Sequence, residues 1–301
     1  MQRTGERRAP LRARWRAPVV VELAGGLGNQ MFQYAAGLAL AARAGLDLRV
    51  DPFRLAADPK RQLEIDAFPG CRLREAGRWQ RLPGDPRAQA LARRFGIGCF
   101  PPLLHQDRPG FEPRVVAARA PVYLRGYWQS ERYFADHDAA VRAAFSTADL
   151  GPARARASRL REPGAVAVHV RRGDYASEAA TRRVHGLLPR DYYERAVAHV
   201  RSRVPSPVFH LFSDDPAFVR EAFAWLEDAE LASESGATGR AVDDLAAMAT
   251  CRHHIVANSS YSWWAAWLGA SPGQVAVAPL RWYADPTRDT TDLVPPEWHR
   301  T

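Results

Sequence analysis

Read as a pattern of apolar and polar positions, the chain falls into two unlike halves. A short apolar run, Val19-Val20-Val21-Glu22-Leu23, meets a glycine turn, Gly25-Gly26-Leu27-Gly28, and then an alanine-rich stretch with helical spacing from Asn29 to Arg43. Gly45 stops that stretch and Leu46 to Val50 is again apolar, so the pattern predicts strand, helix and strand in succession. From about Pro52 to Pro121 the periodicity dissolves among proline, glycine and arginine. Ser130 to Phe145 reads as a helix with Ser130 as its N-cap. Ser146 to Gly164 is polar and punctuated by proline and glycine, which marks a link between two units, 18–150 and 151–301, preceded by a basic tail over 1–17.

The second half is regular. Strands are predicted at Ala165–Val170, Val208–Phe212, Ala229–Ser233, His253–Ala257 and Gln274–Ala278. Helices are predicted between them at Pro189–Arg203, Pro216–Leu226, Ala241–Thr250 and Ser260–Leu268. Alternating strands and helices define an α/β fold with a parallel sheet covered on both faces. In such sheets ligands bind beyond the carboxyl ends of the strands. The ends here are Gly25–Asn29, His169–Asp174, Ser213–Asp215 and Asn258–Ser262, where polar residues gather.

Composition narrows the class. With 301 residues and 47% apolar content the chain can bury a large core. Lys60 is the sole lysine among 42 basic residues, and so strong an arginine bias, with abundant alanine, points to a GC-rich bacterial genome. The net charge of +9 favours polyanionic partners: nucleic acid, acidic lipid or phosphate-bearing substrates. Arginine is spread along the chain without a nucleic-acid-binding motif, which argues against a specific nucleic-acid partner. Cys71, Cys99 and Cys251 show neither disulfide nor zinc spacing and fit a reducing, cytoplasmic setting. No apolar run reaches the roughly 20 residues of a membrane span. The arginine-rich tail leaves two readings open, a solvated segment or a peripheral contact with an acidic membrane surface.

The strand ends carry the chemistry. Counting from Gly26, the third position of a dinucleotide glycine fingerprint is Met31, so that fingerprint fails. The loop still lets a ligand approach backbone N–H groups beside Asn29 and Gln30. His169-Val170-Arg171-Arg172-Gly173-Asp174 places His169 and Arg171 on one face of an extended chain, and a guanidinium fork matches phosphate oxygens. Asp174 is either a general base or a carboxylate orienting the arginines. In Ser213-Asp214-Asp215-Pro216, Asp215 has the bland role of a helix N-cap, and a carboxylate there could instead accept the paired N–H donors of guanine. Asn258-Ser259-Ser260-Tyr261-Ser262 opens a helix whose free amides and dipole favour an anion. Trp263, Trp264 and Trp267 sit at helical spacing and read as core or domain-interface residues. Asp136-His137-Asp138, the sole D-x-D, falls in a predicted helix and reads as a surface feature.

In this order, "GGLGNQMFQYA", "GYWQSERYF", "HVRRGDY", "FSDD" and "NSSYSWWAAWL" closely resemble the alpha-1,2-fucosyltransferases of glycosyltransferase family 11, from about Val19 to Tyr283. The resemblance implies a GT-B-like pair of Rossmann-like domains facing across a cleft. It also implies a GDP-fucose donor, a galactose-terminated oligosaccharide or lipid-linked glycan acceptor, inversion at the anomeric carbon and no required metal or cofactor. Carried over by position, Arg171 contacts the donor diphosphate with His169 and Arg172 nearby. Asp214 or Asp215 reads guanine, and Ser260, Tyr261 and Ser262 hold phosphates. Gly26, Gly28, Gln30, Ser213, Asn258 and Ser259 complete the donor side, and Asn29 lies near the transferred sugar. Trp128, Gln129 and Glu131 fall on the acceptor side, Glu131 being a second candidate base. Rival readings are an alpha-1,6 or protein O-linked fucosyltransferase, or a basic nucleic-acid-binding protein.

Overall fold

The computed structural model describes residues 17–96, 101–147, 159–232 and 240–301. Most of the basic tail, most of the 146–164 link and Cys99 lie outside the described residues.

Two parallel sheets organise the chain. The first takes β1 (Val19–Glu22), β2 (Leu48–Asp51), β3 (Leu103–His105) and β4 (Tyr123–Arg125) in the order β2-β1-β4-β3. Helix α1 (Leu27–Ala44) crosses from β1 to β2. It ends where Gly45 turns left-handed (φ 63°) and gives its amide to the carbonyls of Ala41 and Ala42. Three short helices, α2 (Phe53–Ala56), α3 (Pro86–Arg94) and α4 (Pro113–Ala117), lie in the irregular middle, and α5 (Asp138–Ala144) closes this half.

The second sheet is built from β5 (Ala165–Val170), β6 (Val208–Ser213), β7 (Ala229–Leu231), β8 (His253–Ile255), β9 (Ala276–Ala278) and β10 (His299–Arg300), in the order β10-β9-β8-β5-β6-β7. After β5 come α6 (Gly173–Ser177), α7 (Ala179–His185) and α8 (Arg190–Arg201). Then α9 (Pro216–Ala222), α10 (Ala241–Thr250) and α11 (Ser260–Leu268) connect the later strands. β5 is buried at all six positions and pairs in register with β6 from Ala165↔Val208 to Val170↔Ser213. A strand covered on both faces is dominated by apolar residues, which is why β5 was readable, with His169 its one polar member.

The sheets share one core. Phe32 of α1 meets Trp263 and Trp264 of α11 at ring-centroid distances of 4.5 and 4.9 Å, and Phe134 stacks on Trp264 at 5.4 Å. The Trp264 indole donates to the Gly28 carbonyl at 3.0 Å. The tryptophans are therefore interface core, as their spacing implied. Gly28 is essential to that closeness: a Cβ there would lie 2.5 Å from the Ser260 carbonyl carbon and 2.6 Å from the Tyr261 amide nitrogen.

The structure corrects several boundaries. The helix expected over Ser130–Phe145 is two 3-10 turns followed by α5, because Phe134 leaves helical geometry (φ −136°, ψ 10°) and its ring is seated in this core. Ser130 does cap the first of those turns, accepting from the Arg132 amide. β3 and β4, three residues each, were not predicted, nor were α6 and α7. Asp136 pairs with Arg43 and Asp138 with Arg142, so the D-x-D is spent on ion pairs. Cys71 and Cys251 are free, and burial pushes both thiols up to about 12. Among the described residues no helix is long and apolar enough to cross a membrane.

Candidate active site

A cleft of about 1110 Å³ opens where the carboxyl ends of both sheets face each other. Its centre is Arg171, just past the end of β5. The Arg171 guanidinium pairs with Asp214 at 2.6 Å and with Asp174 at 2.5 Å. Asp174 also accepts from Arg61 at 2.6 Å, so one carboxylate joins arginines from the two halves. Its two cationic partners overcome burial and hold its carboxyl below the usual range. This is the geometry of the orienting carboxylate, one of the two readings open from sequence. Two of the five N–H donors of Arg171 are used in these pairs, and its remaining hydrogens can meet a ligand.

His169 precedes it on the same strand face. The ring is buried and its Nδ1 has no hydrogen-bond partner among the described residues. Burial, and then the Arg171 charge, push its pKa down to about 3, so the ring is neutral at any working pH. Its face meets Tyr261 at 5.5 Å. Arg172 is turned the other way: its guanidinium lies 3.6 Å over the Phe218 ring and 3.5 Å from Asp215. Because side chains alternate along extended backbone, only one of two adjacent arginines can enter the cleft. The expectation that Arg172 joins Arg171 there is corrected.

The aspartates of the third loop are also assigned. Asp215 caps α9 by accepting from the Phe218 amide. Asp214 is tied to Arg171 and to the Arg172 amide. Ser213 donates to the Val170 carbonyl and accepts from the Asp215 amide, locking the ends of β5 and β6 together. Asp244, at the start of α10, was passed over in the sequence and lines the same cleft, buried near His169 and Tyr261.

The start of α11 faces the glycine loop. Ser259 caps the helix, accepting from the Tyr261 amide. Ser260 donates to Asn29 Oδ1 at 3.0 Å, and the same oxygen accepts from Gln129 at 2.7 Å. Gln129 in turn accepts from the Tyr283 hydroxyl, so a hydrogen-bonded chain runs across the cleft floor. Tyr261 sends its hydroxyl to the Ala241 carbonyl. Ser262 and Asn258 are buried and hold backbone: Ser262 accepts from the Ala257 amide, while Asn258 donates to the His185 and Trp282 carbonyls. Of this loop, Asn258, Ser259, Ser260 and Tyr261 line the cleft and Ser262 does not, and Gly26 and Gly28 line it from the opposite side.

Two further expectations are corrected by burial and a third by position. Gln30 is fully enclosed, donating to Gly25 and Gln62 carbonyls and accepting from the Glu64 amide. It fixes the Arg61–Glu64 segment beside the glycine turn instead of touching a ligand. Trp128 has no exposed surface and packs edge-on to Tyr133. Glu131 accepts from the Trp267 indole, away from the cleft. Arg61 and Glu64 were missed because they lie in the aperiodic middle, where only a tertiary contact reveals them. Burial raises the Glu64 carboxyl above its ordinary value. Among the described residues no group of three or more histidine, cysteine or acidic side chains is arranged to hold a metal ion.

With this geometry in view, the comparisons with known proteins are specific. The family model "Glycosyl transferase family 11" matches residues 111–301. An alpha-1,2-colitosyltransferase of Escherichia coli is 30% identical over 94% of this chain and 98% of its own length. Galactoside 2-alpha-L-fucosyltransferase Sec1 of Mus musculus is 33% identical over 34% of this chain and 28% of its own. Among solved structures, Arabidopsis thaliana FUT1 in complex with GDP superposes with a TM-score of 0.51 at 11% identity, covering 92% of this chain and 71% of that one. The fold is GT-B-like, and the chain belongs to glycosyltransferase family 11.

Proposed function

We propose that the protein transfers an L-fucosyl group from GDP-β-L-fucose to the 2-hydroxyl of a terminal galactoside, with inversion and without a divalent ion. The observation that carries this reading is Arg171, held by two carboxylates at the mouth of β5 and lining one cleft with the start of α11. In the reaction the bond from the fucosyl anomeric carbon to the diphosphate oxygen breaks, and its electron pair stays on GDP. The acceptor oxygen bonds the opposite face of that carbon and gives up its proton. Negative charge therefore grows on the diphosphate, where fixed donors count most. Arg171 and the free amides of α11 supply them.

Asp174 is ion-paired twice and is a weak proton acceptor. Glu64, whose carboxyl burial raises, is the better-placed base from the first half. Neutral His169 lines the donor side of the cleft without adding charge. Asp244, buried in the same cleft lining as Asp214, is a further carboxylate for the guanine edge. The setting is bacterial surface-glycan synthesis.

A second donor has specific support. The relative aligned over nearly the whole chain is a colitosyltransferase, and colitose is fucose without its 3-hydroxyl. A site built to hydrogen-bond that hydroxyl rejects the deoxy sugar steeply, by roughly four or five powers of ten. Thermal shift with GDP, UDP, ADP and NAD, each with and without chelator, comes first. Stabilisation by GDP alone, unchanged by chelator, is the expected result. Turnover of GDP-fucose and GDP-colitose on galactosides, with the linkage mapped, then decides the donor. Stabilisation by UDP, or turnover abolished by chelator, overturns the reading.

A further inference from the structure

We propose that α3 and the 3-10 segment before it, Arg78–Gly84, form a docking surface for an anionic lipid bilayer. Asp85 caps α3 by accepting from the Arg87 amide, and Pro86 opens it, so the helix is locally well specified. Yet none of its residues is buried. It rests on the protein through half-buried Ala88, Gln89 and Ala92, with Gln89 donating to the Pro83 carbonyl. The opposite face repeats at helical spacing: Arg87, Leu91, Arg94 and Phe95. Leu91 and Phe95 are 58% and 63% exposed, and Trp79 on the preceding segment is 78% exposed. Large apolar side chains pointing outward contribute nothing to the core.

The charge around them selects the partner. From Arg72 to Phe95 the chain has seven arginines against Glu75 and Asp85. Exposed Arg78, Arg87, Arg93 and Arg94 have no ion-pair partner among the described residues. A basic amphipathic face bearing tryptophan, phenylalanine and leucine matches the headgroup boundary of an acidic membrane, where guanidiniums meet phosphates and rings enter the acyl edge. The first sixteen residues carry six arginines and one acid, so the tail has the wrong sign to cover this face, and a second copy would bring the same positive charge. Duplex nucleic acid has the right sign but no use for the apolar side chains.

The surface also lies at the working end of the first sheet. Arg125, which lines the cleft, donates to the Gly84 carbonyl, and Arg81 lies 3.7 Å from Asp51 at the end of β2. Docking there sets the mouth of the cleft close to the lipid surface.

The test is flotation of the full chain with vesicles of phosphatidylcholine alone or mixed with phosphatidylglycerol. The wild type is expected to float only with the anionic vesicles, and less so at high salt. The triple variant Trp79→Ser, Leu91→Ser, Phe95→Ser and the double variant Arg87→Glu, Arg94→Glu should each cut binding at least about tenfold, with melting temperature unchanged. Absence of wild-type flotation overturns the proposal, as does equal flotation of the variants. So does a dimer in sedimentation that the apolar triple variant dissociates, or tighter binding to duplex DNA than to lipid. Neither donor nor acceptor enters this assay, so its outcome is independent of the assigned reaction.

Discussion

The two walls of the cleft are built differently. The wall from the second sheet rests on β5 and β6, six residues each, and on a nine-residue helix, all predicted within a residue or two. The wall from the first sheet has strands of three or four residues, and its cleft residues Arg61 and Glu64 sit on irregular chain pinned by Gln30. Long elements buried on both faces announce themselves in sequence, and they also hold the group that must not move. The first wall supplies contacts held by the Gln30 side chain and by the Arg61–Asp174 pair and not by regular strand or helix.

If that contrast is right, its largest consequence falls on Arg171. Arg171→Ala should lower kcat by about two to three powers of ten, the usual cost of one preorganised transition-state donor. Arg171→Lys should stay at least about tenfold below wild type, because a point charge cannot replace the fork. Near-normal turnover in the lysine variant would show that charge alone suffices and would remove the distinction between the walls.

Acid should also lower stability through the second sheet. His169 and His254 are buried on β5 and β8, and desolvation depresses them to about 3 and about 4. Below the unfolded value near 6.5 the unfolded chain binds protons that the folded chain does not, so stability falls as pH drops from about 6.5 toward 4. At pH 5.5 the two together cost about 3 kcal/mol. A urea midpoint that does not move between pH 7 and pH 5.5 would contradict this.

Gly28→Ala probes the seam between the walls. Its Cβ has no room against the backbone of Ser260 and Tyr261, so the sheets must part there. We expect a loss of ~1–3 kcal/mol in stability, with reduced kcat/KM. Unfolding curves together with kinetics check it, and an unchanged enzyme would mean that the seam yields freely.

The sequence made α1, β5, α10 and α11 legible because apolar periodicity and caps act locally, and it made the donor wall legible because its polar residues cluster at strand ends. Alternation along the strand put His169 and Arg171 on one face, but it did not show that Arg172 turns out of the cleft onto Phe218 and Asp215. Nor did it reveal that Trp128 and Gln30 are enclosed, because a motif reports position and not exposure. β3 and β4 were invisible: three-residue strands carry too little alternation to stand out from a coil.

The aromatic seam joining α1 to α11 has one more implication. The largest core cluster draws on Phe32, Phe134 and Phe145 from one half and on Trp263, Trp264 and Trp298 from the other. Cutting the chain between the sheets would strip both pieces of the same shared interior. We therefore expect the molecule to melt in one cooperative transition, with neither half folding stably alone; two resolved transitions in a calorimetric scan would contradict this.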